Sequence, residues 1–428
     1  MMKLILLFCT LFALSYSRVT KINSLEWTQY KLKHGKVYYD SYDDLNHYNR
    51  YNDVKQEIAE HNRRYSEGKE SYLMAINKYS DVDISQFKGY IYHKHNDDIN
   101  YADSEDNELT RRKRRVNIRD FYRKTQDNAN SQMSPKDLLN IFENYGFESY
   151  LSHEHHNKTI VHKTTGARAH ESVDWRTKGL VGRVRDQESC GSCWAHSAVG
   201  ALEGQHAKAT GKLVELSVQN LVDCTVDKGV TGCDAGGWPY QAYKYIIRKG
   251  RGIDTEASYP TINRDNYKCL FNRSTIGATA SAFAVLTPGD EEALKNAVTN
   301  IGPISVCMEV AAPFVYYGSG VFDYPDCDSA FETINHCMLA VGYGTDSKSG
   351  KDYWLVKNSM GIDWGDQGYI KMVRNKHNQC GISTMASYPV VTPMLNMMAR
   401  VGNTRHLIGF SCGNQFVMTK RTALTAIL

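Results

Sequence analysis

The sequence has no strong excess of charge of one sign: 51 Lys and Arg stand against 47 Asp and Glu, a net charge of +4. So slight an imbalance gives no electrostatic argument for nucleic acid or another polyanionic partner. Long apolar runs are absent beyond the first residues, so no later segment reaches the roughly 20 apolar residues of a bilayer-spanning helix. Internal repeats and low-complexity arrays are missing too, which sets repeat architectures aside.

What is present begins with a compartment signal. Lys3 supplies a positive start, residues 4–14 form an apolar run, and Ser15 and Ser17 are small residues at a cleavage position. The pattern reads as a secretory signal peptide over residues 1–17, and the lysosome or the extracellular space is the expected destination. Eleven cysteines in a secreted chain then imply disulfides rather than zinc or a cytosolic redox pair. Cys9 leaves with the signal. A chain of 428 residues, 42% hydrophobic, has material for two or three domains.

Residues 18 to about 90 are polar and helical in pattern, with Tyr51, Val54, Ile58 and Asn62 on one face. The stretch "SYLMAINKYSDV" that follows alternates like a short strand. From about His93 to His170 the composition is that of a linker or insertion. It holds the basic run "RRKRR" at 111–115, a weakly helical "SPKDLLNIFENYGF" and a His-rich tract with His153, His155 and His156. The basic run reads first as solvated linker and second as a processing site; the histidines read as an exposed tract before a metal site. Asn157 and Asn272 begin glycosylation sequons. Between 172 and 391 the chain is rich in Gly, Cys, Trp and Tyr, with regular strand signals after about Ala280. The last segment, 392–428, has no clear period.

The chemistry is concentrated in "DQESCGSCWAHSAVGALEG". Good helix formers follow Cys193, so this cysteine sits near a helix start, where partial positive charge stabilises a thiolate. A thiolate nucleophile also needs a proton shuttle and a group to orient it. His336 in "NHCMLAVGYG" and Asn358 in "DYWLVKNSMG" are the candidates. Each motif alone is weak; the three in this order are strong.

Together they resemble the papain family of cysteine proteases, and the cathepsin L group within it. His336 falls within the span of about 130–150 residues beyond the cysteine that this family's pattern gives, and Asn358 slightly beyond it. The resemblance implies an α+β fold: a mostly helical domain carrying Cys193, a barrel-like β domain carrying His336 and Asn358, and a cleft between them. It assigns Cys193 as nucleophile, His336 as general base and acid, and Asn358 as the residue orienting the imidazole. Gln187 and the Cys193 backbone N–H would form the oxyanion hole. Disulfides Cys190–Cys233, Cys224–Cys269 and Cys327–Cys380 follow from family connectivity, the first stabilising by roughly 4 kcal/mol in the chain-entropy model. Cys307 and Cys337 are expected as two buried free thiols, with an extra disulfide between them as the alternative; Cys412 has no assigned partner.

The substrate cleft would be lined by Gly236, Gly237, Trp238, Pro239, Cys307, Ile334, Met385 and Trp364. No charged residue is expected at the base of the main pocket, which implies a preference for a bulky hydrophobic residue two before the scissile bond. No segment resembles a histidine-bearing occluding loop, so cleavage within chains is expected. No metal and no cofactor are called for. Residues 18–168 would be the propeptide, with an inhibitor-like part at about 22–90 and then the linker; 169–391 would be the peptidase and 392–428 an extension.

In the propeptide, family positions read Asp43, His47, Tyr51, Val54, Ile58 and Asn62. The element "AINKYSD" keeps Asn77 and Asp81, with Tyr79 in place of Phe. Such a segment would release the cleft as its carboxylates protonate. Expected partners are protein and peptide substrates, the chain's own propeptide and cystatin-type inhibitors, with the protein a monomer.

Three residues depart from the family: Glu188 stands for Gly, His196 for Phe and Met360 for Trp. They motivate a rival reading as a catalytically weakened binding protein. A second rival treats the N-terminal region as an inhibitor acting in trans.

Overall fold

The computed structural model describes residues 24–83, 159–162, 170–225, 232–234, 236–250, 252–266 and 268–392. The signal peptide, the basic run, the three clustered histidines, Asn157, Cys412 and nearly all of the tail lie outside the described residues. The fold is α+β.

Two helices begin it, α1 (Ser24–His34) and α2 (Ser41–Ser66). Asp40 caps α2, its Oδ1 accepting from the backbone of Tyr42 and Asp43 at 2.9 Å each. Such a cap stabilises by about 1 kcal/mol. The expected face is the buried one, with Tyr48, Tyr51, Val54, Ile58 and His61 turned inward. Trp27 and Tyr30 of α1 close on it, the Tyr30 and Tyr51 rings 4.7 Å apart.

Strand β1 (Tyr72–Met74) leads into the main sheet, where it pairs antiparallel with β8 (Tyr317–Phe322). Asn62 ties α2 to β1, its Nδ2 donating to the Met74 carbonyl and its Oδ1 accepting from the Met74 N–H, both at 2.9 Å. Gly320 faces this junction with φ +89, and a Cβ there would lie 2.6 Å from the Ser71 carbonyl oxygen. Only glycine lets the two chains approach.

The remaining strands are β2 (Thr159–Val161), β3 (Val173–Asp174), β4 (Ile253–Asp254), β5 (Ile276–Ala278), β6 (Ala282–Val285), β7 (Ile304–Met308), β9 (His336–Thr345), β10 (Asp352–Lys357), β11 (Tyr369–Val373) and β12 (Met385–Val390). The large sheet runs β1-β8-β11-β10-β9-β7-β12-β6-β2, with β3 paired to β9; β4 and β5 form a separate pair. Most neighbours are antiparallel; β8 with β11 and β2 with β6 are parallel.

Helix α3 (Cys193–Thr210) lies across this sheet, and α4 (Val218–Cys224) and α5 (Pro239–Tyr245) pack around it. Small residues Ala195, Ala198, Gly200, Ala201 and Gly204 let α3 sit close. The Ser197 hydroxyl donates to the Met338 carbonyl at 2.6 Å, and a Cβ on Gly200 would lie 2.8 Å from Leu339. Helix α6 (Glu291–Asn300) covers the other side, capped by Asp290.

Two features differ from the sequence expectation. Residues 159–161, within the stretch read as linker, form the edge strand β2 beside β6. His162 follows it, buried, its Nε2 donating to Asn296 Oδ1 at 3.2 Å and its Nδ1 3.1 Å from the Tyr388 hydroxyl. Three residues in a polar tract carry too little period to announce a strand. The second difference is Cys307 and Cys337, expected as free thiols: they form a disulfide. They stand directly opposite one another on β7 and β9, and the sequence does not give that register.

Asp81 anchors the N-terminal segment. Its buried carboxylate accepts from the Tyr30 and Tyr38 hydroxyls at 2.6 and 2.5 Å and meets Lys36 at 2.9 Å. Burial acts to raise its pKa, but the bonds from Tyr30, Tyr38 and Lys36 outweigh it and leave it lowered. A carboxylate held down in the folded state stabilises fully above its unfolded value of about 3.9, and the contribution is lost as pH falls through the folded value. Asp81→Asn should therefore cost about 1–3 kcal/mol in denaturant unfolding of the N-terminal segment at pH 7. The gap should close as pH falls below about 4; a gap that stays constant down to pH 3 would contradict this assignment.

Candidate active site

Cys193 is the first residue of α3 and is buried. Among the described residues it is the cysteine outside every disulfide. The loop before it is pinned by Cys190–Cys233 and by the Gly191 N–H donating to the Cys233 carbonyl at 2.9 Å. Cys224–Cys269 and Cys327–Cys380 are also formed.

His336 opens β9 and Asn358 directly follows β10. Because these strands are antiparallel neighbours, with Leu339 opposite Lys357, the two residues emerge at the same end. His336 Nε2 lies 2.8 Å from Asn358 Oδ1. That oxygen also accepts from the Ser359 N–H at 2.8 Å, and two donors on one oxygen fix which way the amide faces. With Nε2 as donor to Asn358, the imidazole's other nitrogen, Nδ1, takes the acceptor role when the ring is neutral. His336 is fully buried, and burial pushes its pKa down to about 4, with the Asn358 bond acting in the opposite direction.

Gln187 is braced from both sides. Its backbone N–H donates to the Ser359 carbonyl at 2.8 Å, its Oε1 accepts from the Ser359 hydroxyl at 2.5 Å, and its Nε2 donates to the Cys190 carbonyl at 2.9 Å. Ser359 thus fixes both Gln187 and Asn358. Sequence reasoning missed it; its position beside Asn358 in "KNSMG" is the one signal it gave.

The expected cleft residues fall into two groups. Gly236 has φ +66, and a Cβ on Gly237 would lie 2.9 Å from the Trp194 ring. Trp238 and Pro239 start α5, and Pro239 lines a pocket with Met385, Tyr240, Val285, Leu286 and Ala386. Cys307 sits opposite Met385 across β7 and β12, and Cys307 and Ile334 are fully buried behind this wall. Trp364 lies in the interior, 5.0 Å from the Phe314 ring, with its Nε1 donating to the Val315 carbonyl at 2.9 Å.

The family departures have distinct surroundings. Glu188 is exposed with φ 53, and its N–H donates to Asp186 Oδ1 at 3.0 Å. Met360 is buried and bridges Asp186. His196 lies one turn into α3, its Nδ1 3.0 Å from the Ser192 carbonyl oxygen; burial pushes its pKa down to about 3.

A cysteine at a helix start, an imidazole held by an amide and a braced glutamine are the groups that thiol hydrolysis calls for. A model of the papain family of cysteine proteases matches residues 169–390, and one of the cathepsin propeptide inhibitor domain matches residues 27–87. The chain belongs to the papain family of cysteine proteases. It is a cysteine endopeptidase of the cathepsin L kind with its own inhibitory propeptide. It is 40% identical over 367 residues to cathepsin L1 of Drosophila melanogaster, covering 86% of this chain and 85% of that one. It is 39% identical over 369 residues to digestive cysteine proteinase 2 of Homarus americanus, covering 86% and 95%. The solved digestive procathepsin L 3 of Tenebrio molitor larval midgut superposes with a TM-score of 0.67 at 31% identity, over 87% of this chain and all of that one.

Glu188 holds a left-handed backbone that costs a side-chain-bearing residue about 1–2 kcal/mol. Glu188→Gly should raise the unfolding free energy by about 1 kcal/mol in denaturant titration and leave peptide turnover unchanged. A destabilised variant would contradict the strain assignment.

Proposed function

We propose that the chain is a secreted zymogen whose peptidase part, residues 169–391, hydrolyses peptide bonds through a thioester on Cys193. The observation that carries the reading is the 2.8 Å bond from His336 Nε2 to Asn358 Oδ1, which commits Nδ1 to proton exchange with the nucleophile. The Cys193 thiol passes its proton to His336 Nδ1, and the resulting thiolate attacks the scissile carbonyl carbon. The oxyanion accepts from the Cys193 backbone N–H and the Gln187 side-chain amide. His336 Nδ1–H then protonates the departing amine as the C–N bond breaks, leaving the acyl group on sulfur. A water attacks this thioester, its proton passes to Nδ1, and the carboxylic acid leaves as the C–S bond breaks.

Substrate choice follows from the pocket walled by Pro239, Tyr240, Leu286 and Met385, which carries no charged side chain. An apolar wall favours a bulky hydrophobic residue two before the scissile bond and disfavours Arg, whose charge would lose its water without a partner. Gly236 and Gly237 offer the backbone edge along which a substrate pairs, and Trp364 supports the wall beyond the bond.

Residues 18–168 act as propeptide. The inhibitor-like part, about 22–90, is fastened to the peptidase part by Asn77 Nδ2 donating to the Val315 carbonyl at 2.8 Å and braced within itself by the Asp81 network, which loosens as Asp81 protonates in acid. The signal at 1–17 and four disulfides fit an oxidising secretory route ending in the lysosome or outside the cell. Cystatin-type inhibitors would enter the same cleft, and the enzyme acts as a monomer.

Acid-activated protein treated with a peptidyl epoxide should carry the adduct on Cys193 and lose cleavage of a peptide bearing Leu or Phe two before the bond. No label on Cys193, together with no cleavage of that peptide, would sink the reading.

A further inference from the structure

Two side chains at the proposed catalytic site, Asn358 and His196, end in buried polar atoms with no hydrogen-bond partner among the described residues, Asn358 Nδ2 and His196 Nε2. The first is a donor. The character of the second follows from the other side of its ring, where Nδ1 lies 3.0 Å from the Ser192 carbonyl oxygen and 3.3 Å from the Ser192 hydroxyl, which takes either role. A carbonyl only accepts, so Nδ1 carries the proton and Nε2 presents a lone pair. The site therefore offers one orphan donor and one orphan acceptor. Both residues line one cavity of about 20 Å³, together with Arg185, Glu203, Lys357 and Ser359. That volume holds one water molecule, which needs two to four polar partners to be retained.

We infer that His196 is a positioning residue. One water bound in this cavity accepts from Asn358 Nδ2 and donates to His196 Nε2, holding the Asn358 amide with Oδ1 toward His336. The inference rests on the reading of His336 and Asn358 as base and orienter. The two ends of an amide have nearly the same shape, and only their hydrogen bonds distinguish them. Inverted, the amide would set an N–H against the His336 Nε2–H and lose the Ser359 N–H bond. His336 and the Ser359 N–H thus select the orientation, and the water satisfies the Nδ2 donor that it leaves buried, with His196 Nε2 as the acceptor that retains the water.

A charged His196 would lose the lone pair. Burial pushes its pKa down to about 3 and so keeps it neutral through the mildly acidic range, and the nearby Arg185, Lys357 and His336 act in the same direction. The phenylalanine expected at this position would fill space without offering an acceptor.

The test uses processed enzyme whose Cys193 has been counted by epoxide labelling. His196→Phe removes the acceptor, and His196→Gln retains one. We expect His196→Phe to lower kcat about tenfold with KM changed less than twofold and the acid limb of the kcat profile displaced, and His196→Gln to recover most of the loss. A crystal structure of the parent enzyme at a resolution that shows ordered solvent should hold a water within about 3 Å of both nitrogen atoms.

An unchanged kcat and pH profile in His196→Phe, equal losses in both variants, or no water between the two atoms would overturn the inference. If His196→Phe does not fold, the solvent position in the parent decides. Any of these results with Cys193 still labelled leaves the proposed function standing. Loss of labelling in the parent removes that reading instead.

Discussion

The site depends on one contact, the seating of helix α3 on strand β9. The first residue of the helix is Cys193 and the first residue of the strand is His336, so the proposed nucleophile and base each open one of two elements packed together. Close approach is what the small residues of α3 permit. The Ser197 hydroxyl donates to the Met338 carbonyl at 2.6 Å, and the Ser305 hydroxyl returns to the Ser197 carbonyl at 2.9 Å, so the helix is tied to β9 and β7 together. Helix-start polarity favours a thiolate, and the neighbouring strand β10 supplies Asn358 to hold the ring.

The N-terminal segment exploits the same scaffold. It adds strand β1 to the sheet and contributes Val54, Ile58, Tyr72, Met74 and Tyr79 to the core that also contains Phe314, Tyr317 and Trp364. A segment so joined to the enzyme's own core is held by burial as well as by charge. Acid weakens the network at Asp81 and leaves these apolar contacts in place. A second attachment, β2 beside β6, lies just ahead of the peptidase domain.

Much of this was legible because it is local. The helix face of Tyr51, Val54 and Ile58 followed from period, and the start of α3 from the helix formers after Cys193. The α+β class, the family and the propeptide followed from the motifs. What escaped depends on register or on distant partners. Cys307 and Cys337 are bonded because two strands align them. Asp81 gathers Tyr30, Tyr38 and Lys36 from far along the chain. Residues 159–161 become a strand because β6 offers an open edge. Ser359 and the cavity beside His196 appear only once three segments converge.

The most direct measurement is the rate of Cys193 alkylation by iodoacetamide across pH in the processed enzyme. If the crossing of α3 and β9 makes a thiolate and imidazolium pair, the rate should inflect well below the roughly 8.5 of a free thiol. In His336→Ala it should move up toward that value. A parent enzyme that titrates like a free thiol, or a variant whose inflection stays where the parent's is, would contradict the account.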